Sequence, residues 1–173
     1  MVIEMKKVNI ILFIFLVVVV LSSTIYFSAF YGKDRYDFTL YKKVYNNIVT
    51  CQKFDDVVLD NEITITATKT QSKDKKSFLV SVVFDNPRFL MKDLNVLVID
   101  KDPNADLIYP SLGLIDDKTY DLVPNNDSDK KGISLLMSSE KDIKNLLIYF
   151  SYIKNDERVE HYYEVKVEDK ENA

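Results

Sequence analysis

The sequence predicts an all-β protein: an immunoglobulin-like β-sandwich of roughly seven or eight strands, behind one amino-terminal transmembrane helix and a short juxtamembrane amphipathic helix. Three observations indicate this architecture. Residues 8–27 carry no charge, residues 36–50 have a helical pattern of apolar positions, and short apolar segments bounded by turn residues follow from residue 60 onward. The predicted boundaries are a basic leader (1–7), a transmembrane helix or signal anchor (8–31), a juxtamembrane helix and linker (32–56), the sandwich (57–168) and a charged tail (169–173).

The uncharged segment 8–27, VNIILFIFLVVVVLSSTIYF, is long enough to cross a bilayer. At about 1.5 Å of rise per residue, such a helix matches the roughly 30 Å hydrocarbon core. A cleaved signal peptide, which would release a secreted protein after Val20-Leu21-Ser22, is the alternative. Apolar and aromatic residues continue through residues 25–31, as expected where a retained helix meets the membrane–water boundary. The predicted membrane-spanning residues include Val8, Leu12, Leu16, Val20 and Phe27.

The orientation of this helix is predicted from the leader. Lysines and arginines lie on both sides of the helix, so their number does not decide the orientation. A short leader before a hydrophobic segment is the usual form of an uncleaved export signal. We therefore expect a single-pass protein of the cell membrane whose carboxy-terminal domain is extracytoplasmic.

Composition excludes several classes of function. The chain has 23 basic and 27 acidic residues, a net charge of −4, whereas a face that binds nucleic acid is basic. The only glycines, Gly32, Gly113 and Gly132, are too far apart for a phosphate-binding loop, a dinucleotide fingerprint or a nucleophile elbow. Cys51 and His161 are single copies, so neither an intramolecular disulfide nor a Cys/His zinc site can form. Cys51 is expected to be a small buried apolar residue.

Residues 36–50 are predicted to form an amphipathic helix, because apolar pairs recur at helical spacing at Leu40-Tyr41, Val44-Tyr45 and Ile48-Val49. Two interpretations of this helix remain open. Its apolar stripe would contact the membrane surface or a partner protein as a stalk, or it would pack on the sheet of the domain itself.

The strands are predicted from alternation and from uninterrupted apolar runs. Ile63, Ile65 and Ala67 alternate with threonines, and Phe78–Phe84 also alternates. Leu146–Ile153 is the most hydrophobic run, which predicts the central strand. The remaining predicted elements are strands at Leu94–Ile99, Leu107–Tyr109, Thr119–Val123, Gly132–Met137 and Tyr162–Val167, one helical turn at Ser139–Asp142 and a chain reversal at Asn155–Arg158.

Some of these segments also support a resemblance to known proteins. They are Phe78–Asn86 (FLVSVVFDN), Leu94–Asp100, Lys118–Val123 (KTYDLV) and Leu146–Tyr152, together with the amino-terminal anchor. With them the chain resembles Gram-positive bacterial envelope proteins that have one amino-terminal membrane or lipid anchor and an immunoglobulin-like sandwich of unassigned function. The resemblance implies fold and location, and it implies no catalytic residue.

One loop has the composition of a Ca²⁺ site. Calcium loops supply carboxylate and amide oxygens at alternate positions, followed by a turn glycine and a bidentate glutamate. Here Ala105 stands at the glycine position and Ser111 at the glutamate position, so the match is partial. The alternative is a solvated turn whose side chains form hydrogen bonds with their own backbone. The candidate metal ligands are Asp100, Asp102, Asn104 and Asp106.

Two acidic pairs, Asp55-Asp56 and Asp116-Asp117, would suit a hydrolase if two carboxylates faced each other about 5–10 Å apart across a cleft. No catalytic residue is predicted, since surface pairs of this kind are usually solvated. The expected function is instead a non-catalytic interaction or structural module of the cell envelope, whose partners are the lipid bilayer and other envelope proteins or the cell wall. An exported hydrolase and a Ca²⁺-stabilised adhesion-type module are the alternatives. We expect no nucleic-acid partner, no small-molecule substrate and no cofactor other than that Ca²⁺.

Overall fold

A computed structural model describes residues 15–25, 36–55, 62–73, 76–116, 118–124 and 132–170. The chain divides into two compact units, Met1–Arg35 and Tyr36–Ala173. In the first unit, residues 15–25 are helical (helix α1) and include Leu16 and Val20, whereas Val8, Leu12 and Phe27 lie outside the described residues. Within the described ranges, no helix is both long enough and apolar enough to span a membrane. The transmembrane helix stays a prediction.

The second unit is mostly β, as predicted. Its described part contains a seven-stranded sheet that is nearly closed into a barrel. The order across the sheet is β4-β3-β6-β7-β1-β2-β5, and every neighbouring pair is antiparallel except β1 and β7. The strands are β1 (Thr64–Gln71), β2 (Phe78–Asp85), β3 (Lys92–Asp100), β4 (Ser111–Leu112), β5 (Ile133–Ser139), β6 (Asn145–Lys154) and β7 (Glu157–Asp169).

Strands β3 and β6 are covered on both faces, which explains why their sequences do not alternate. Successive residues of each strand belong to two different apolar clusters. The cluster inside the sheet takes Val96, Val98, Ile148 and Phe150, and the cluster under helix α2 (Phe38–Thr50) takes Leu97, Ile99, Leu147 and Tyr149. Residues 146–153, predicted to form the central strand, form an interior strand, because β6 lies between β3 and β7, and β7 is in the middle of the sheet order.

Helix α2 packs on the sheet of its own unit. Tyr41, Val44 and Ile48, which belong to the predicted apolar stripe, are buried against β3 and β6. Asp37 caps the amino end by accepting a hydrogen bond from the backbone N–H of Thr39 (2.8 Å). The structure therefore decides between the two interpretations of this helix: the buried stripe is not free to contact a membrane or a partner as a stalk.

The β6–β7 hairpin confirms the predicted chain reversal. Asn155 and Asp156 have φ values of 52° and 62° at the turn. Residues with a short polar side chain tolerate this left-handed region, and two of them in succession are typical of a type I′ turn. Along β7, Tyr163 and Val167 are buried in the cluster inside the sheet, whereas Tyr162 lies on the other face and is half-buried in the cluster under α2.

Two of the short predicted strands are wrong. Leu107 and Ile108 are exposed and outside any strand, and the edge strand β4 begins after Pro110. Thr119–Val123 contributes one isolated bridge, between Leu122 and Met91, in place of a strand. A short apolar run becomes a strand only when a neighbour offers a hydrogen-bonding ladder, and local sequence does not report that neighbour.

The predicted helical turn at Ser139–Asp142 is also wrong. Ser139 is the last residue of β5, and its hydroxyl accepts a hydrogen bond from the Lys141 backbone N–H and donates one to the Lys141 carbonyl, each at 3.0 Å. The serine side chain thus forms a local turn that competes with a helix.

Candidate recognition surface

Two grooves lie on either side of an exposed loop, which we call the 105–108 loop (Ala105, Asp106, Leu107 and Ile108). The helix groove, about 470 Å³, lies between this loop and α2, where Phe38, Tyr41 and Tyr45 form its wall. The seam groove, about 440 Å³, lies between the loop and the end of β5, with Tyr109, Met137 and Ile143 along it. Leu107 and Ile108 line both grooves and are 55% and 69% exposed.

Tyrosine contacts hold the 105–108 loop against α2. The backbone N–H of Tyr109 donates to the hydroxyl of Tyr41 (2.8 Å), and the backbone N–H of Asn104 donates to the hydroxyl of Tyr109 (2.8 Å). Tyr45 stacks between them, with ring centroids 6.4 Å from Tyr41 and 6.3 Å from Tyr109. Burial raises the pKa of both Tyr41 and Tyr109, although the N–H each hydroxyl accepts opposes the shift. The loop therefore presents its apolar side chains from a fixed base.

The candidate Ca²⁺ ligands are divided between the two grooves. Asp100, Asp102 and Asn104 line the seam groove, whereas Asp106 lines the helix groove. Asp100 Oδ1 accepts from the Asp102 N–H (3.3 Å), and Asn104 Oδ1 accepts from the Asp106 N–H (3.0 Å). Across the part of the chain that the structure describes, no group of three or more His, Cys, Asp and Glu side chains is arranged to hold a metal ion. Ca²⁺ binding stays a prediction.

Each acidic pair has one described member. Asp56 and Asp117 lie outside the described residues. Asp55 Oδ2 accepts from the Tyr162 N–H (3.3 Å) and lies 3.4 Å from Nδ1 of His161. Asp116 accepts from the hydroxyl of Tyr120 (3.0 Å). The pKa of Tyr120 is raised by burial and by this contact with Asp116.

A polar cluster around Glu62 was not predicted from the sequence. Glu62 accepts hydrogen bonds from the Tyr152 hydroxyl and from Lys154 Nζ (2.8 Å), and Lys154 lies 4.2 Å from the ring centroid of Phe89. His161 stacks on Tyr152, with ring centroids 6.0 Å apart. Burial raises the pKa of Glu62, but the hydrogen bonds from Lys154 and Tyr152 outweigh it, so the pKa lies below its usual value. A general acid needs the opposite shift.

A buried cation, Lys69, joins three segments of the second unit. Its ammonium donates to Asp142, lies 3.6 Å from Asp169, and is 5.8 Å from the ring centroid of Phe78. The hydrogen bond to Asp142 raises the pKa of Lys69, against the opposing effect of burial. Lysine is rarely buried unless it is paired, so these contacts account for its position structurally.

Cys51, expected to be a small buried apolar residue, is half-buried at the carboxyl end of α2. Its Sγ lies 3.0 Å from the carbonyl oxygen of Lys53. It is the C-cap residue of the helix, and its backbone N–H donates to the carbonyl oxygen of Ile48 (3.3 Å).

Comparison of the chain with protein-family models, with curated proteins and with solved structures finds no match. The resemblance to Gram-positive envelope proteins stays a prediction.

Proposed function

We propose that the chain is a single-pass, membrane-tethered immunoglobulin-like sandwich that faces the cell exterior and acts as a non-catalytic interaction module of the cell envelope. The observation that carries this proposal is the 105–108 loop, where two apolar side chains remain exposed between two grooves although their base is fixed by tyrosine contacts. Contiguous exposed apolar surface with aromatic walls is typical of protein–protein recognition.

The strand order supports the immunoglobulin-like part of the proposal. Strands β1-β2-β5 correspond to the A-B-E sheet of that fold, and β4-β3-β6-β7 correspond to C′-C-F-G. Strand β7 runs from one set to the other: its first part pairs with β6, and its last residues pair in parallel with β1. The inter-sheet disulfide of antibody domains has no counterpart, because the chain has one cysteine.

The interaction module is preferred to the alternatives because the candidate carboxylates already accept hydrogen bonds from the chain. Asp55 and Asp116 accept from Tyr162 and Tyr120, and Asp100 accepts from the loop backbone. These hydrogen bonds do not specifically support either an exported hydrolase or a Ca²⁺-stabilised adhesion module. The proposed partner is another envelope protein or the cell wall.

The location of the domain is tested by cysteine labelling of intact cells. In a Cys51→Ala background, Lys118→Cys places one thiol at an exposed position, and Ser151→Cys places one at a fully buried position as the control. We expect a membrane-impermeant maleimide to label residue 118 of the membrane fraction in intact cells and to leave residue 151 unlabelled. Labelling of residue 118 only after permeabilisation would place the domain in the cytoplasm, and labelled protein only in the medium would show secretion after cleavage.

The recognition surface is tested separately by photo-crosslinking in cells. A photoreactive residue at position 108 is expected to give a discrete crosslinked species, and the same residue at position 123, whose valine is 57% exposed, is expected to give none. Adding Leu107→Asp should suppress the crosslinked species at position 108, because burying a carboxylate in an apolar interface costs free energy. Equal products at both positions, or no effect of Leu107→Asp, would remove the 105–108 loop as the docking surface.

A further inference from the structure

The seam groove has an apolar lining that joins the two clusters of the second unit. Met137 packs against both the cluster inside the sheet and the cluster under α2, and it is half-buried. Ile143 of the first cluster and Tyr109 of the second are buried and also line the groove. Leu107 and Ile108 are exposed along one side. An apolar side chain that entered the groove would therefore contact apolar surface from several segments.

The charges along the seam groove are mainly negative. Among the described residues that line it, the charged side chains are those of Asp100, Asp102, Glu140 and Lys141, three carboxylates and one ammonium, a formal net charge of −2. Asp100 ends β3 and Asp102 follows it, whereas Glu140 follows β5. The carboxylates therefore come from both segments that border the groove.

Neighbouring cations do not neutralise these carboxylates. Within the described ranges, none of Asp100, Asp102 and Glu140 takes part in an ion pair. Lys101, which lies between the two aspartates in the sequence, pairs instead with Glu164, whose Oε1 is 2.6 Å from the lysine Nζ. The rim of the groove can therefore accept a cation from a partner.

The helix groove, on the other side of the 105–108 loop, differs in charge. Its described charged side chains are those of Lys42 and Asp106, one of each sign. The excess of carboxylates is thus a property of the seam groove, although Leu107 and Ile108 line both grooves.

We propose that the seam groove binds a segment of a partner protein in which an apolar side chain is next to a lysine or arginine. The apolar side chain packs on Leu107, Ile108 and Met137, and the cation pairs with Asp102 and Glu140. A volume of about 440 Å³ admits a few side chains, so the occupant is a single segment and not a folded surface. The charges favour this partner over an anionic one. The inference rests on the proposed function, because the 105–108 loop is one wall of the groove.

Peptide binding to the purified full chain tests the chemistry of the occupant. The probes are three short peptides with the same uncharged fluorophore, which alternate leucine with lysine, leucine with glutamate, and serine with lysine. Binding is followed by fluorescence anisotropy in the presence of a chelator. We expect the leucine–lysine peptide to bind most tightly, because it alone offers both an apolar side chain and a cation. Equal binding of the serine–lysine peptide would show attraction to the carboxylates alone and would overturn the proposal.

Two double variants separate the groove from the overall negative charge of the chain. Asp102→Asn with Glu140→Gln should weaken binding of the leucine–lysine peptide about three- to tenfold, as expected for the loss of two exposed ion pairs. The matched control is Asp156→Asn with Glu157→Gln, which removes the same charge at the exposed β6–β7 turn. The groove lies near the other end of β6, about 25–30 Å away along this ten-residue strand, so the control should leave binding unchanged at physiological salt. Equal weakening by both variants would overturn the proposal.

Lys141 gives a prediction of opposite sign. Lys141→Gln removes the cation from the lining, so the leucine–lysine peptide should bind this variant more tightly than the wild-type chain. A disturbed groove would weaken binding in every variant, whereas the charges require opposite effects of the Lys141 and the Asp102/Glu140 substitutions. Unchanged or weaker binding to Lys141→Gln would contradict the role of charge.

Crosslinking in cells separates this inference from the proposed function. The photoreactive residue at position 108 is combined with Asp102→Lys and Glu140→Lys, which should suppress the crosslinked species by repelling a basic partner. An unchanged species would keep the 105–108 loop as the docking surface but overturn the basic partner, and so would a species of twice the chain mass, which would show a second copy. Absence of any species before the charge reversal would instead contradict the proposed function, and the peptides would still decide the chemistry of the groove.

Discussion

The packing of α2 on the sheet makes a quantitative prediction for Ile48. Ile48 is completely buried against β3 and β6, whereas its neighbour Val49 is 46% exposed. Ile48→Ala removes three carbon atoms from the cluster, which corresponds to about 2.4 kcal/mol at roughly 0.8 kcal/mol per buried CH₂. A residual cavity increases this cost, and the higher helix propensity of alanine offsets a few tenths of a kcal/mol. We expect a loss of about 3 kcal/mol.

The assay is urea unfolding of the full chain followed by far-ultraviolet circular dichroism and by tyrosine fluorescence, which no tryptophan obscures. Val49→Ala is the matched control: it truncates a β-branched residue of the same helix turn at an exposed position, and it should change the free energy of unfolding by less than about 0.5 kcal/mol. Similar small effects of both substitutions would refute the packing of α2, since a helix free of the sheet would expose both side chains alike.

Three further predictions concern Tyr149, the Lys69–Asp142 ion pair and Gly113. Burial and the charge of Glu160 raise the pKa of Tyr149 to about 12, so the folded state retains the phenol proton while the unfolded state loses it above pH 10. The free energy of unfolding should therefore fall as pH rises from 10 to 12. Between pH 9 and pH 11, urea unfolding should show a loss that is about 1.4 kcal/mol smaller for Tyr149→Phe than for the wild-type chain. Asp142→Ala removes the nearest partner of the buried Lys69 ammonium and should cost about 2 kcal/mol, more than Lys69→Met, which leaves a half-exposed carboxylate. The reverse order in thermal unfolding would contradict this account. Gly113→Ala should cost more than about 2 kcal/mol, because φ is +66° and a Cβ would lie 2.3 Å from a backbone carbonyl oxygen; an unchanged melting temperature would contradict it.

Much of the fold was predictable from two complementary signals. The stripe Tyr41, Val44 and Ile48 required a surface to cover it, and the runs 94–99 and 146–153 were too apolar to have one face in water. Each signal alone left the helix with two interpretations. Taken together they would have favoured packing of the helix on these strands, because the apolar stripe of the helix and the second apolar face of the strands can bury each other.

The Glu62 cluster shows what local pattern does not contain. Glu62 and Lys154 are 92 positions apart, and nothing in the sequence beside either residue indicates the other. The pairing arises because the start of β1 and the end of β6 are brought together by the intervening β7. Periodicity predicts which face of a strand is apolar, but an ion pair between distant segments depends on strand order, which the sequence left open.

The 105–108 loop gives the sharper case, because there the failed strand prediction and the proposed function concern the same residues. Leu107-Ile108-Tyr109 is an apolar run, and a buried edge strand would have the same local sequence. The difference lies in long-range partners: the Tyr109 N–H donates to the side chain of Tyr41 on α2, 68 positions away. With that bond made to a hydroxyl, Tyr109 is buried and its two apolar neighbours stay exposed between the grooves. An apolar run that forms no strand but is held in place by long-range contacts keeps apolar side chains exposed at a fixed position. A recognition surface should therefore be sought there.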